Sequence, residues 1–372
     1  MKRPRKIMFV IFGMQGGGAQ RVVARILALL DRNRFTPSLV LFQGEGAFLS
    51  LVPPDVTVLD CERYGHGGRW AWFGNFVRFC RREDPDVIVS FLWFSNLVTI
   101  LARAVAGIRA GLVVSERLSV SGAREGFLED IARRIGIFFL YRAADRVTPN
   151  SDATREQLVR RYRLSPQKVI TILNPLDIDS ILSRSLEKDT LRIEENSPPV
   201  IIAMGRLVWQ KGFDTLLRSL PVIKHPCRLF ILGEGEDEGA LRALSARLGV
   251  ENRVTFTGFL SNPYPTLSAA SVFVLSSRFE GFPNALLEAM SLGIPCVSTR
   301  CPSGPEEIIT DGVNGFLVPV DDPVALAGAI DRFLGNPALR SKMGSAGREH
   351  AKTLDAPKIV RIYEALFEEV AR

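Results

Sequence analysis

IMFVIFGMQGGGAQRVVARILALL, residues 7–30, decides the architecture. Six apolar residues suit a buried strand, Gly16, Gly17 and Gly18 make a turn, and a helix-like run follows from about Ala19 to Leu30. A strand passing through glycines into a helix opens a parallel sheet covered by helices. The pattern recurs outward from there. Further strands are predicted at 38–42, 87–91, 112–115, 147–149 and 169–173. A second series runs through 200–204, 229–232, 254–257, 272–275 and 296–298, and a last helix through 357–370. The stretch after residue 174 is polar, lacks a sustained apolar period and ends in Ser-Pro-Pro, which reads as a linker. The expected division is 1–174, a linker over 175–196, a second domain over 197–355, and a terminal segment over 356–372. The fold class is α/β, two unequal copies of one plan. Two such domains facing each other make a cleft, with ligands beyond the carboxyl ends of the strands.

The bulk numbers agree with an enzyme. The 372 residues exceed one ordinary core, and 47% apolar with 23% charged residues excludes a disordered or fibrous chain. Five cysteines (Cys61, Cys80, Cys227, Cys296, Cys301) include no CxxC and read as reduced core thiols of a cytoplasmic protein. The basic start and short apolar run read as a first strand rather than a signal peptide, and 135–141 is too short to span a bilayer. Charge is uneven. Residues 1–174 carry 26 Lys and Arg against 15 Asp and Glu, a net +11, while the remainder nets −4. A basic front half suggests an anionic partner: membrane surface, nucleic acid or phosphorylated acceptor. The basic residues match no nucleic-acid module.

Three segments carry chemistry. Glycines at 16–18 let backbone amides approach a phosphate at a helix start, although a plain strand–helix turn needs them equally. A dinucleotide fits poorly, because Arg21 takes the place of the third glycine and the second strand ends at Gln43. In MGRLVWQKG, residues 204–212, Arg206 and Lys211 leave the first strand of the second series. Two cations there can offset charge on a departing diphosphate; solvated surface cations are the plain alternative. In SRFEGFPNALLEAM, residues 277–290, Glu280 lies in a Gly/Pro turn and Glu288 about one turn into a helix. A continuous helix would hold them about 12 Å apart, but the turn can fold Glu280 back over the helix start. One carboxylate can then accept from sugar hydroxyls and the other from a ribose diol.

With GGGAQR at 16–21, GRLVWQKG at 205–212, the E-x7-E of Glu280 and Glu288, and CPSGPEEII at 301–309, the chain resembles glycosyltransferase family 4 over essentially its whole length. The resemblance implies the GT-B fold, two Rossmann-like domains facing across a cleft, the N-terminal one binding acceptor and the C-terminal one donor. It implies retaining transfer from a nucleotide sugar with no metal or other cofactor. By it, Gly17 and Gly18 give amides to the diphosphate, and Arg206 and Lys211 neutralise it. Glu280 holds the donor sugar and Glu288 the ribose. Gly233, Phe259 and Leu260 frame the base, and Phe282 and Asn284 complete the donor pocket. The final helix crosses back to the N-domain. The motifs are similar to those of enzymes using UDP-GalNAc, UDP-GlcNAc or a UDP-hexose in surface polysaccharide assembly. That implies a lipid-linked or glycolipid acceptor and a peripheral place on the inner face of the plasma membrane. A non-catalytic nucleotide-sugar or glycan-binding protein on the same fold is the alternative.

Arg117 stands where many relatives carry His. Guanidinium stays protonated, so it is no general base; it is either a donor or acceptor contact or a structural arginine. The DxD pairs Asp84/Asp86 and Asp177/Asp179 are short enough to arise by chance, and His66, His225 and His350 form no nucleophile constellation. Two stretches mix arginine with apolar residues. In 69–82, Trp70, Trp72, Phe73, Phe76 and Phe79 accompany Arg69, Arg78, Arg81 and Arg82. In 124–142, which begins at Arg124, Ile131, Ile135, Phe138 and Phe139 accompany Arg133, Arg134 and Arg142. Either these dock on anionic membrane or they are core-facing helices with solvated arginines.

Overall fold

The computed structural model describes residues 3–15, 17–62, 71–117, 127–188, 191 and 198–372, without the side chains of 127–129. The chain forms two units. The first runs to Pro175 and resumes at Ala356; the second is Leu176–Asp355.

The first unit begins with β1 (Arg5–Ile11), α1 (Gly18–Leu29), β2 (Phe35–Leu41), β3 (Thr57–Asp60), α2 (Ala71–Glu83) and β4 (Val87–Phe91). It continues with α3 (Trp93–Ala106), β5 (Gly111–Glu116), α4 (Phe127–Leu140), β6 (Arg146–Pro149) and α5 (Asp152–Arg160). All six strands are parallel, in the order β3-β2-β1-β4-β5-β6. Alternation along β1 feeds two cores. Ile7, Phe9 and Ile11 join α1, while Met8 and Val10 join the helices of the other face. Because both faces are covered, β1 reads as a continuous apolar run.

The second unit starts with α6 (Ile178–Ser185), β7 (Val200–Met204), α7 (Phe213–Ser219), β8 (Arg228–Leu232), α8 (Glu238–Arg247) and β9 (Val254–Gly258). Then come α9 (Tyr264–Ser268), β10 (Val272–Leu275), α10 (Asn284–Ser291), β11 (Cys296–Thr299), α11 (Pro305–Ile308), β12 (Phe316–Val318), α12 (Pro323–Leu334) and α13 (Pro337–Ala351). Its sheet is also parallel, in the order β12-β11-β10-β7-β8-β9. Counted from each unit's own first strand, the two orders are the same. The last helix, α14 (Ala356–Val370), lies in the first unit. Ile359, Val360, Tyr363, Leu366 and Phe367 join the core of Phe9, with the Phe9 and Phe367 rings edge-on at 5.9 Å.

Three expectations change. The stretch expected as a linker holds α6, because Asp177 caps it by accepting from Ser180 N at 3.1 Å and Ile181 is buried. Arg184 and Asn262 tie it to the α9 region: Arg184 donates to Ser261 O and Asn262 to Arg184 O, each at 2.9 Å. Residues 169–173 form no strand. Val147 N donates to Lys168 O, Ile170 N to Val147 O and Ile172 N to Pro149 O, but Pro149 has no N–H to supply the bond between the last two. The short strands β3 and β12 escaped prediction; both are edges of four residues or fewer. All five cysteines are buried and free.

Candidate active site

The chemistry of the second unit gathers at the end of β7. Leaving Met204, the chain stays beside β8, with Gly205 N donating to Leu232 O and Leu207 N to Glu234 O, both at 2.9 Å. It closes into a single 3-10 turn over Trp209–Lys211, and Gly212 follows in the left-handed region at φ +61°. A Cβ at Gly212 would stand 2.1 Å from Ser276 O, so only glycine lets this turn press against the end of β10. That close approach brings Lys211 to the Glu280 turn. Lys211 Nζ meets Glu280 Oε1 at 2.6 Å, and Ser277 Oγ donates to the same oxygen at 2.6 Å. Ser303 Oγ donates to Glu280 O at 2.6 Å, which fixes the turn from the other side.

The ion pair is nearly enclosed, the Lys211 side chain 18% exposed and that of Glu280 7%. Burial of two charges costs desolvation, which their attraction and the serine hydrogen bond offset; removing one partner strands the other. Burial pushes the nearby Cys301 thiol up to about 12, with the Glu280 charge adding to it. It is no thiolate nucleophile.

Glu288 lies on α10 and is fully buried. Asn284 begins that helix and is half-buried, Phe282 is buried just ahead of it, and Pro283 caps the helix start without a side-chain hydrogen bond. Gly233 bends the chain after β8 at φ +132°, where a Cβ would fall 2.1 Å from Gly205 O. Phe259 is exposed and Leu260 half-buried just past β9. Arg206 is exposed beside Gly205. The structure therefore joins Lys211 to Glu280 directly, where the sequence offered them as separate contacts, and sets Gly233 against the backbone that leads to Arg206.

In the first unit, Gly17 is the extended residue capping α1 and Gly18 its exposed first residue; Gly16 lies outside the described residues. Arg117 is enclosed at the end of β5. It donates to Asn174 Oδ1 at 2.7 Å and to the Tyr363 hydroxyl, and its guanidinium carbon sits 5.1 Å from the centre of the Phe91 ring. Of the two roles left open by the sequence, these contacts are those of a structural arginine. Beside it Glu116, also buried, accepts from Arg117 N at 3.2 Å and from Tyr141 at 2.9 Å. Asn96 donates to the Tyr141 hydroxyl and accepts from Ser90 Oγ, both at 2.8 Å. Burial, then the Glu116 charge, raises the Tyr141 phenol well above its ordinary value. This network was missed, since Ser90, Asn96, Glu116 and Tyr141 share no spacing.

The other candidates divide. Asp86 accepts from Lys6 N and Arg3, and Asp177 caps α6, so both DxD pairs contain an aspartate with backbone work. His66 lies outside the described residues, as do Arg69, Trp70 and Arg124. On α2, Phe76 and Phe79 are buried and Trp72 and Phe73 pack on the core, while Arg78, Arg81 and Arg82 are exposed. That helix turns its aromatic residues to the core, while Arg81 donates to Ala106 O and Val105 O and Arg82 pairs with Glu83. On α4, Ile131, Ile135 and Phe139 are exposed at four-residue spacing, one stripe of the helix. Among the described residues, no helix is long and apolar enough to cross a membrane.

Known proteins fit both units. Residues 16–180 match the family described as Glycosyltransferase Family 4, and residues 187–350 that described as Glycosyl transferases group 1. A Campylobacter jejuni transferase that adds N-acetylgalactosamine to a diphospho-undecaprenol glycan is 29% identical over 96% of this chain and 98% of its own. The lipopolysaccharide 1,6-galactosyltransferase of Salmonella typhimurium is 33% identical over 79% of this chain and 75% of its own. Among solved structures, Anabaena HepE in complex with UDP and glucose superposes with a TM-score of 0.83 at 23% identity, covering 97% of this chain and 99% of that one. Two successive family matches, full-length relatives and the shared GT-B fold agree with the paired strand orders, and the chain belongs to the group 1, family 4 glycosyltransferases.

Proposed function

We propose that this glycosyltransferase moves a sugar from a UDP-sugar to a lipid-linked or glycolipid acceptor in bacterial surface glycan assembly, with retention of configuration and without a metal. The observation that carries the reading is the Lys211–Glu280 pair at 2.6 Å, held at the end of the first strand of the second unit. At that end of an open parallel sheet a ligand's phosphates and sugar are expected. In this reading Lys211 and exposed Arg206 meet the diphosphate, and charge that develops on the leaving group draws Lys211 toward it. Glu280 accepts from donor hydroxyls as the ammonium shifts, and Glu288 accepts from the ribose. Phe259, Leu260 and Gly233 border the base, with Phe282 and Asn284 closing the pocket, and Gly17 and Gly18 offer amides to phosphate. The acceptor hydroxyl attacks the face the diphosphate leaves, and the leaving phosphate takes the proton.

The donor preference follows the relatives: N-acetylgalactosamine for the Campylobacter enzyme and galactose for the Salmonella one. UDP-GalNAc, UDP-GlcNAc and UDP-galactose are therefore the first donors to test, against an undecaprenyl-diphosphate glycan. The lipid-linked acceptor would bring the protein to the inner face of the plasma membrane as a peripheral protein. For that contact the exposed Ile131, Ile135 and Phe139 of α4 replace α2, supported by the +11 charge of residues 1–174.

The test is a thermal-shift panel of nucleotide sugars, followed by transfer assays in EDTA with NMR of the product. A donor at about 100 times its Kd adds roughly 2.7 kcal/mol to stability. Stabilisation by a UDP-sugar, turnover in EDTA and an unchanged anomeric configuration are expected; inversion, or turnover only with added metal, overturns the mechanism.

A further inference from the structure

Behind the Lys211 turn stands a second arginine that the proposed chemistry does not use. Arg278 commits its fork to Trp209 O, Asp214 and Asp321. Its Nη1 donates to Trp209 O at 2.7 Å and to Asp214 Oδ1 at 2.9 Å, and its Nη2 to Asp214 Oδ2 at 2.8 Å. Asp321 lies 2.8 Å from the same Nη2, and the Trp209 ring centre is 4.9 Å from the guanidinium carbon. The Arg278 side chain is only 10% exposed. The backbone repeats the tie: Arg278 N donates to Gln210 O at 2.8 Å, Gln210 Nε2 to Phe279 O at 2.9 Å, and Ser276 Oγ to Lys211 O at 2.9 Å. Each residue of the three-residue turn is thus bound to the strand end that carries Glu280.

Two carboxylates on one arginine make this more than a surface contact. Burial pushes the Asp214 carboxyl up, and the Arg278 hydrogen bond and charge outweigh it, leaving the carboxyl below its ordinary value. Asp321 reaches in from an otherwise exposed position at φ +57°, a region non-glycine residues seldom occupy, and also accepts from Thr215 Oγ1 at 3.0 Å. Only a planar fork can satisfy Asp214 in bidentate fashion, reach Asp321 and lie over an indole together; lysine supplies one point charge.

We propose that Arg278 is a positioning residue for sugar transfer: it locks the backbone of the turn of Trp209, Gln210 and Lys211 so that the Lys211 ammonium is presented beside Glu280, and it acts on the reaction only through Lys211. This rests on the reading in which Lys211 meets the diphosphate. A misplacement of a charged group by about 1 Å can cost up to about a hundredfold in rate. Arg278→Lys is therefore expected to lower kcat roughly tenfold to a hundredfold, with donor KM changed by less than about threefold.

The deciding readout is a double-mutant cycle with Lys211→Ala, measured as kcat on the full-length protein with UDP-sugar and acceptor. In the Lys211→Ala background, Arg278→Lys should change the residual rate by less than about twofold, because its route to the reaction is gone. A purely structural role would lower both backgrounds by the same factor, and that result overturns the proposal. Thermal unfolding reports whether Arg278→Lys is folded. If it is not, Asp321→Asn at the exposed rim of the clamp carries the same cycle, with a smaller loss expected beside Lys211 and none beside Ala. Full turnover by Lys211→Ala overturns the diphosphate reading and this proposal together. A crippled Lys211→Ala beside fully active Arg278→Lys and Asp321→Asn overturns this proposal alone.

Discussion

The two units share one strand order and place ionisable side chains at the same end of the sheet, yet they use charge in opposite ways. At the end of β5, Arg117 and Glu116 are consumed by Tyr363, Asn174 and Tyr141. Beyond β7 and β10, Lys211 and Glu280 have chiefly each other, with one serine hydroxyl. An arginine bound by several neutral groups and a ring is committed to the fold. A lysine whose main partner is one carboxylate can turn to a phosphate oxygen when hydroxyl donors take its place at that carboxylate; without them a buried charge is stranded. Identical topology thus says where chemistry can sit, and in the proposed reading the partners of each charge say where it does.

The sharpest way to break this contrast is to remove one charge from each unit. Lys211→Ala should lower kcat on the order of 10²–10³ while the protein stays folded, as losing one preorganised donor to a developing anion typically does. Turnover assays beside thermal unfolding decide it, and a variant of normal rate would void the assignment. Within the second unit the two glutamates should also separate. Glu288→Ala should weaken UDP binding roughly tenfold or more, as loss of a charge-assisted hydrogen bond does. Glu280→Ala should keep UDP within about threefold and lose transfer. Calorimetric titration with UDP reads both, and equal affinities for wild type and Glu288→Ala would remove the ribose role.

The same contrast explains what the sequence disclosed. Lys211, Glu280 and Glu288 sit in short contiguous segments, where glycine and proline punctuate strand ends, so pattern alone marked them. Their pairing was not legible, because it needs Gly212 to press the turn onto Ser276, 64 residues on. Ser277 and Arg278 stood within the quoted segment, but Asp214 and Asp321 lie far from it in sequence. The Arg117 network was still less legible, since its members come from β4, α3, β5, the end of α4 and α14. Strands buried on both faces announced themselves as apolar runs. The edges β3 and β12 did not, having little apolar length to show. α6 hid because its eight residues expose a largely polar surface, with Asp177 as its clearest signal.

For the first unit the expected loss is in stability. Arg117→Met leaves Asn174, Tyr363 and the face of Phe91 without their cation, and should cost about 2–4 kcal/mol. UDP affinity should be unchanged within twofold. Urea unfolding measures the first and calorimetry the second. A stable Arg117→Met that has lost activity would make Arg117 a ligand contact and sharpen the comparison against us.

The smallest effect separates two carboxylates, one in each unit, by pH. Asp130 on α4 meets Arg133 at 2.9 Å and Arg134 at 2.7 Å, and Asp214 meets Arg278 at 2.8 Å. Both carboxyls lie below the ordinary 3.8: Asp130 chiefly through the Arg133 hydrogen bond, Asp214 because Arg278 outweighs its burial. A carboxyl with a depressed folded pKa adds stability above its unfolded value and loses it as pH falls through the folded one. Asn is neutral throughout, so the stability gap between wild type and Asp214→Asn should be level from about pH 7 to 5 and shrink between about pH 4 and 2. Asp130→Asn should show a smaller gap, because its partners lie three and four residues on along the same helix, where such pairs typically contribute about 0.2–0.5 kcal/mol. Urea midpoints at pH 6, 4 and 3 read both variants. A gap for Asp214→Asn that is the same at pH 3 as at pH 6 would mean that Arg278 does not hold an ionised Asp214, and the arginine clamp would lose its electrostatic half.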